Sequence, residues 1–288
     1  MKNKILVLGS SGLLGHHLCR SLETNNDLKL FNISNSLQYN DETILIDAQN
    51  LDKLKEKIQE IRPDYIFNCI GILNNSLDIN PSGMIYLNAY LPNILGNIAS
   101  TIEAKLIHFS TDCVFSGNKK EPYKENDHSD ANDLYGKTKK LGEEVFRDHL
   151  VIRTSFIGPS LRNNSRELFS WFISEKDSTK GYAESIWSGV TALEVAKAAE
   201  KLMSLNISGI YHLTSNEPIS KYDLLCKIKK YTNKKIEIIK VDGKKTNKSL
   251  LDTRSLLGYE IPSYDEMISS MVEDILNNQH LYSHYSFD

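Results

Sequence analysis

The chain has 288 residues, 40% hydrophobic and 25% charged, with a formal net charge of −3. That composition suits one large globular unit, or one unit with a smaller lobe, and the absence of a basic tail or stripe argues against a nucleic-acid binder. No apolar run approaches the roughly 18–20 residues of a membrane span, and Cys19, Cys69, Cys113 and Cys226 are too scattered for a CxxC pair or a disulfide framework, so free thiols in a reducing cytoplasm are expected.

The first apolar run, Ile5–Leu8, meets glycines at once and reads as a buried strand rather than a signal peptide. Leu14, Leu18 and Leu22 then mark one face of a helix. Leu28–Ile33 and Thr43–Ile46 read as strands, and a helix with Leu51, Leu54, Ile58 and Ile61 on one side stops at Pro63. Tyr65–Ile70 is a strand ending at Gly71. A long helix is expected over Met84–Ile102, with Pro92 as an irregularity. Lys105–Ser110 is a strand, Leu134–Phe146 a helix, and Leu150–Thr154 a sixth apolar run.

Strands apolar throughout, alternating with helices, predict an α/β fold: a doubly wound parallel sheet of Rossmann type. Residues 1–155 form this unit, and 188–214 return to it. There Thr191-x2-Glu194 spells a capping box, and Ile210–Leu213 a strand. Residues 156–187 and 215–288 are expected to form a small, discontinuous substrate-binding lobe. It contains a helix at Lys221–Tyr231, a strand at Lys235–Val241 and a helix at Tyr264–Leu276, and a frayed tail from Asn277.

Gly9, Gly12 and Gly15 lie at the first strand–helix junction, with Ser11, Leu13 and Leu14 between and after them. Glycines there permit a tight turn and let backbone N–H groups approach a pyrophosphate at a helix N-terminus. The spacing is G-x2-G-x2-G, not the G-x-G-x2-G of the common fingerprint; a ligand-free glycine turn is the alternative. The second strand ends in Ser34-Asn35-Ser36 without the carboxylate that binds a ribose 2′-OH. Ser34, Asn35, His16 or His17 could donate to a 2′-phosphate, which favours NADPH and leaves NADH open. Asp47, beside Ala48, could accept from the adenine amino group or cap the next helix.

Tyr135 and Lys139 stand at i and i+4, one face of a helix. A neighbouring ammonium would stabilise a phenolate and lower the tyrosine pKa; a shift of about three units needs roughly 4 kcal/mol. The pair alone is a common pattern. Its setting is not: a glycine loop precedes it, then a strand ending in Ser110-Thr111-Asp112 at the carboxyl edge of the sheet, where such folds bind ligands.

On Gly9-x2-Gly12-x2-Gly15, Asn68-Cys69-Ile70-Gly71, Ser110-Thr111-Asp112-Cys113-Val114-Phe115-Ser116-Gly117, Tyr135-Gly136-Lys137-Thr138-Lys139, Ile152-Arg153-Thr154-Ser155 and Gly189-Val190-Thr191, the chain resembles the dTDP-4-dehydrorhamnose reductase family. These are extended short-chain dehydrogenases that reduce nucleotide sugars in deoxysugar and polysaccharide biosynthesis. The resemblance implies that Thr111 contacts the substrate carbonyl, that Tyr135 is the acid with Lys139 its partner, and that Asn68, Cys69, Gly71 and Asn88 lie along the cofactor. Cys113 stands where a tyrosine is frequent, and Asn68-Cys69-Ile70-Gly71 replaces an alanine-rich run.

The expected reaction is NADPH-dependent reduction of a 4-keto group on a nucleotide-linked 6-deoxyhexose. The sugar is dTDP-4-dehydrorhamnose or a UDP-linked 2-acetamido-2,6-dideoxy-4-hexulose. Ser110, Thr111 and Asp112 would meet the sugar; Arg153, Lys248 and Arg254 are candidates for its diphosphate. Two readings stay open beside it: an epimerase with tightly bound NAD, and a non-catalytic nucleotide-binding regulatory subunit. A second copy of the chain is an open partner, and no resident metal is expected.

Overall fold

The computed structural model describes residues 2–73, 80–163, 165–215, 217–285 and 287. In chain order it begins β1 (Asn3–Leu8), α1 (Leu13–Glu23), β2 (Leu28–Ser34), β3 (Ile44–Leu45), α2 (Leu51–Ile61) and β4 (Tyr65–Asn68). Next come α3 (Pro81–Ile85), α4 (Leu91–Thr101), β5 (Lys105–Thr111), α5 (Leu134–Gly142), β6 (Leu150–Thr154) and β7 (Phe156–Ile157). The remainder is α6 (Leu168–Ser174), β8 (Ser178–Tyr182), β9 (Ser185–Trp187), β10 (Val190–Thr191), α7 (Ala192–Ser204), β11 (Gly209–His212), β12 (Ile219–Ser220), α8 (Lys221–Thr232), β13 (Glu237–Val241), β14 (Thr246–Asn247), α9 (Tyr264–Asn277) and α10 (Gln279–Tyr282).

Seven strands form one parallel sheet in the order β11-β6-β5-β4-β1-β2-β3. The order reverses at β1, and the chain winds helices onto both faces, as right-handed crossovers require. Ile5 to Leu8 and Leu150 to Ile152 are almost wholly buried, which is why these strands read as apolar throughout. One face of the sheet packs Val7, Phe67 and Ile152 against α1, α7 and α9. The other packs Leu6, Ile66 and Leu106 against α2 and α4. Residues 178–187 and 219–247 build two small sheets beside this unit, β12-β9-β14 and β13-β8.

Four expectations change. The long helix is broken: a π turn over Tyr86–Tyr90 separates α3 from α4. Pro92 has no N–H to give the Asn88 carbonyl four residues back, and the freed carbonyl lies against Gly142, where a Cβ would come within 2.2 Å of it. The capping box at Thr191 does not form; Glu194 instead accepts from the Tyr259 hydroxyl at 2.7 Å. The helix from Leu134 tightens to a 3-10 turn at Glu143–Arg147. The tail is packed rather than frayed: Tyr282 is fully buried and Tyr285 nearly so, while residues 286 and 288 lie outside the described residues.

Candidate active site

At the carboxyl edge of the sheet two adjoining cavities, of about 410 and about 210 Å³, share Ser11, Gly12, Cys69, Ile70, Gly71 and Arg162. The larger also holds Leu13, Leu14, Ser110, Thr111, Tyr135 and Lys139; the smaller holds Gly9, Ser34, Asn35, Asp47 and Ala48. Most of the cofactor residues expected from the sequence therefore fall on one elongated cleft. Gly9 has φ +83°, a conformation that favours glycine, and Gly15 is excluded from carrying a side chain because its Cβ would stand 2.1 Å from the Gly9 carbonyl oxygen. Gly12, the N-cap of α1, has only the Gly9 oxygen near its Cβ position, at 3.2 Å. The glycine loop thus stays open on the side where α1 presents its unpaired N–H groups.

Other expected residues are near the cleft but turned away from it. Asn68 donates to His108 and accepts from the Ile70 amide at 3.1 Å. Asn88, carried inward by the π turn, accepts from the Ile72 amide and donates to the Ile72 carbonyl, both at 2.9 Å. These two asparagines shape the loop that carries Cys69 and Gly71. Asp47 accepts from the Gln49 amide, and Asn50, not Asp47, caps α2.

The donors proposed for a 2′-phosphate are mostly committed elsewhere. Ser34 Oγ donates to the Leu37 carbonyl at 2.6 Å and accepts from Ser11 Oγ at 2.7 Å. His16 is buried between the Gly12 carbonyl and the Tyr282 hydroxyl, 2.8 Å from each, and burial lowers its pKa to about 4. His17 is also buried, with its pKa driven down by the same cause. Asn35 remains on the cavity wall.

The three residues expected to be catalytic, Thr111, Tyr135 and Lys139, line one cavity at the C-terminal end of β5. Asp133 caps α5 through the Gly136 amide at 2.8 Å, which fixes the helix that carries Tyr135 and Lys139. Gly136 permits close approach to β5's following turn, since a Cβ would lie 2.2 Å from the Cys113 carbonyl oxygen. Tyr135 and Thr111 line the same cavity. Thr111 in turn donates to Asp112 Oδ1 and accepts from the Cys113 amide, both at 3.1 Å.

Lys139 does not depress the Tyr135 pKa as the spacing suggested. Its Nζ bends below the sheet edge and donates to the Phe109 carbonyl at 2.6 Å. Burial, reinforced by Cys113, holds the Tyr135 phenol well above its ordinary value, against the pull of Thr111. Burial also lowers Lys139 to about 8, opposed by Glu143 and Cys69. Ser110 lines the cleft, but its hydroxyl donates to Glu143 at 2.6 Å, so it is not free to orient a carbonyl.

The diphosphate candidates are corrected. Arg153 is fully buried in a two-pronged pair with Glu143, at 2.8 Å through both Nε and Nη2, and also donates to the Glu125 carbonyl. Arg254 donates to the Ser208 and Ile210 carbonyls. It thereby sits at the start of β11, opposite the carboxyl edge. Lys248 carries its stem across Gly117, whose Cβ would come within 3.1 Å of Lys248 Cγ, and remains a candidate. Two residues that sequence reasoning missed do face the cleft. Arg162 borders both cavities, and Glu167 presents a buried carboxylate oxygen without a hydrogen-bond partner. They stand in an irregular segment without periodicity or motif, so nothing in the sequence singles them out.

A doubly wound sheet, a glycine loop opening its first helix, and a Thr–Tyr–Lys set at the carboxyl edge define an extended short-chain dehydrogenase/reductase, a nicotinamide-dependent oxidoreductase. The model of the family described as RmlD substrate binding domain matches residues 2–275, and the chain belongs to that family. It is 27% identical over 254 residues to the spore coat polysaccharide biosynthesis protein SpsK of Bacillus subtilis, covering 83% of this chain and 82% of that one. It is 28% identical over 229 residues to the dTDP-4-dehydrorhamnose reductase of Escherichia coli, covering 76% and 75%. The fold matches the dTDP-4-dehydrorhamnose reductase of Bacillus anthracis, crystallised with NADP, with a TM-score of 0.82 at 22% identity, over 95% of this chain and 100% of that one.

Proposed function

We propose that the protein reduces the 4-keto group of a nucleotide-linked 6-deoxyhexose with NADPH. The observation that carries this reading is that Tyr135, Thr111 and Lys139 line one cleft together with the glycine loop. The names of the Escherichia coli and Bacillus subtilis relatives support a sugar-nucleotide substrate. The cleft fits a dinucleotide: two cavities joined at the glycine loop suit two nucleoside halves joined by a pyrophosphate. A Cβ at Gly71 would stand 3.2 Å from Asn88 Oδ1, so glycine keeps that wall open. The end of β2 carries no carboxylate to repel a 2′-phosphate, and Asn35 and Arg162 offer donors on that wall.

When bound, the dinucleotide supplies the hydride. Thr111 orients the sugar carbonyl through its hydroxyl, which rotates off Asp112 to do so. Tyr135, held protonated by burial, gives its proton to the oxygen as negative charge develops there, acting as general acid. Lys139, largely protonated at neutral pH with a pKa of about 8, is held by the Phe109 carbonyl and offers its remaining N–H donors to a ribose. The lobe formed by residues 156–187 and 215–288 takes the sugar nucleotide.

The test follows nicotinamide absorbance with NADPH and dTDP- or UDP-linked 4-oxo-6-deoxyhexoses. Tyr135→Phe should lower kcat by about 10²- to 10⁴-fold with NADPH binding retained. A purified protein carrying NAD(H) that never exchanges, or an unimpaired Tyr135→Phe, overturns the reading.

A further inference from the structure

The dinucleotide cleft is short of positive charge. Among the described residues its two cavities are lined by two cations, Lys139 and Arg162, and by two acids, Glu167 in the larger and Asp47 in the smaller. Lys139 borders only the larger cavity and spends one donor on the Phe109 carbonyl at 2.6 Å. Arg162 is the cation at the junction, where the cavities also share Ser11 and Gly12 of the glycine loop. A pyrophosphate lying there is a dianion. The N-terminus of α1 offers it backbone donors and about half a positive charge, which leaves most of the anion uncompensated.

Arg162 is free to supply the rest. Its side chain is exposed, and among the described residues its guanidinium makes no hydrogen bond or ion pair, unlike those of Arg153 and Arg254. Glu167 lines the same larger cavity but does not pair with it; one of its carboxylate oxygens has no partner at all.

The backbone that carries Arg162 is pinned. Its amide donates to Ser160 Oγ at 3.1 Å, and the Ser160 amide donates to the Tyr285 hydroxyl at 2.9 Å. That hydroxyl also shares a 2.6 Å hydrogen bond with Ser170 Oγ on α6. Tyr285 is itself buried, with its ring 5.6 Å from that of Phe169. The C-terminal tail therefore fixes the point from which the arginine starts and leaves its head free. Such an arrangement loses less conformational freedom on binding than a loose loop would.

We propose that Arg162, set in place by Tyr285, clamps the pyrophosphate of the bound dinucleotide at the junction of the two cavities. This rests on the NADPH-dependent reading. A guanidinium presents two parallel N–H donors to phosphate oxygens, a match that a lysine does not reproduce. Asn35, which lines only the smaller cavity, is left for the 2′-phosphate.

The experiment titrates NADPH by its fluorescence, with adenosine 2′-phosphate as a competitor that carries no pyrophosphate. Arg162→Met should raise the Kd for NADPH by roughly 10- to 100-fold, the range of a lost charged hydrogen bond. Because the side chain is exposed, Tm of the free protein should stay within about 2 °C. The Ki of adenosine 2′-phosphate should change by no more than about threefold. Arg162→Lys, which keeps the charge and loses the fork, should fall between. Tyr285→Phe alone should weaken NADPH by about threefold or more, and should add nothing to Arg162→Met, as expected of a residue that acts through the arginine.

An unchanged NADPH Kd in Arg162→Met overturns the proposal and leaves the reductase reading intact. So does an equal loss of adenosine 2′-phosphate, because Arg162 would then hold the 2′-phosphate. A variant whose sole defect is a raised KM for the sugar nucleotide overturns it too, because Arg162 would then hold the substrate's diphosphate. Additive losses in the double variant overturn the part given to Tyr285. A wild type that binds no NADPH overturns both readings.

Discussion

Replacing Arg153 by methionine removes one half of a fully buried ion pair. Glu143 then keeps its carboxylate in the interior with the Ser110 hydroxyl at 2.6 Å and the half-exposed Lys140 ammonium at 3.5 Å as partners. The Glu125 carbonyl also loses its Arg153 donor. Breaking such a pair costs about 3–5 kcal/mol. Unfolding entropy of about 2.1 cal/mol/K per residue gives roughly 0.6 kcal/mol/K for a chain of this length, so Tm should fall by about 5–8 °C. Adding Glu143→Leu removes the stranded charge, and the double variant should regain about half of the loss or more. Calorimetry at pH 7.5 measures both. KM for the sugar nucleotide should stay within about twofold in the double variant. A tenfold rise in KM with an unchanged Tm would show that Arg153 meets substrate after all and would refute the structural assignment.

Two further outcomes follow from the glycine loop and the buried imidazoles. Gly15→Ala drives a Cβ onto backbone atoms of Gly9 and Ser10, so it should lower Tm and weaken NADPH binding together. Gly12→Ala, with more room, should weaken binding at nearly wild-type Tm; equal losses of stability in the two would contradict the loop geometry. His16 and His212 are neutral in the fold, with pKa values lowered to about 4 by burial, against about 6.5 when unfolded. The unfolded chain therefore binds more protons between those values. Stability should be full above pH 6.5 and decline as pH falls from 6.5 toward 4. A Tm that is flat from pH 7 to 5 would contradict this.

The parts of the site that the sequence revealed are those written in one short stretch. The glycine spacing, the Tyr135–Lys139 interval and the Ser110-Thr111-Asp112 strand end need only local geometry, and local geometry puts them on the same cleft edge. What stayed hidden depends on partners fixed by the tertiary fold. Nothing near Ser34 announces that Leu37 and Ser11 occupy its hydroxyl. Arg153 looked like an exposed cation until β6 buried it against Glu143. Thr191-x2-Glu194 has the letters of a capping box, but Tyr259, 65 residues on, takes the glutamate. Lys139 has the expected spacing, but its ammonium bonds the Phe109 carbonyl on β5, a partner that only the tertiary fold supplies.

The bond between His16 of α1 and Tyr282 of α10 joins residues 266 positions apart, and Arg20 of α1 pairs with Asp274 of α9 at 2.7 Å. The helix that opens the glycine loop is therefore made long before the last of its neighbours, α9 and α10. During synthesis, Leu18 and Leu22 must wait for α7, the main helical neighbour of α1, to be added. Such long-range closure slows folding. It also makes a nascent chain of this kind a natural client for a holdase until α9 and α10 arrive.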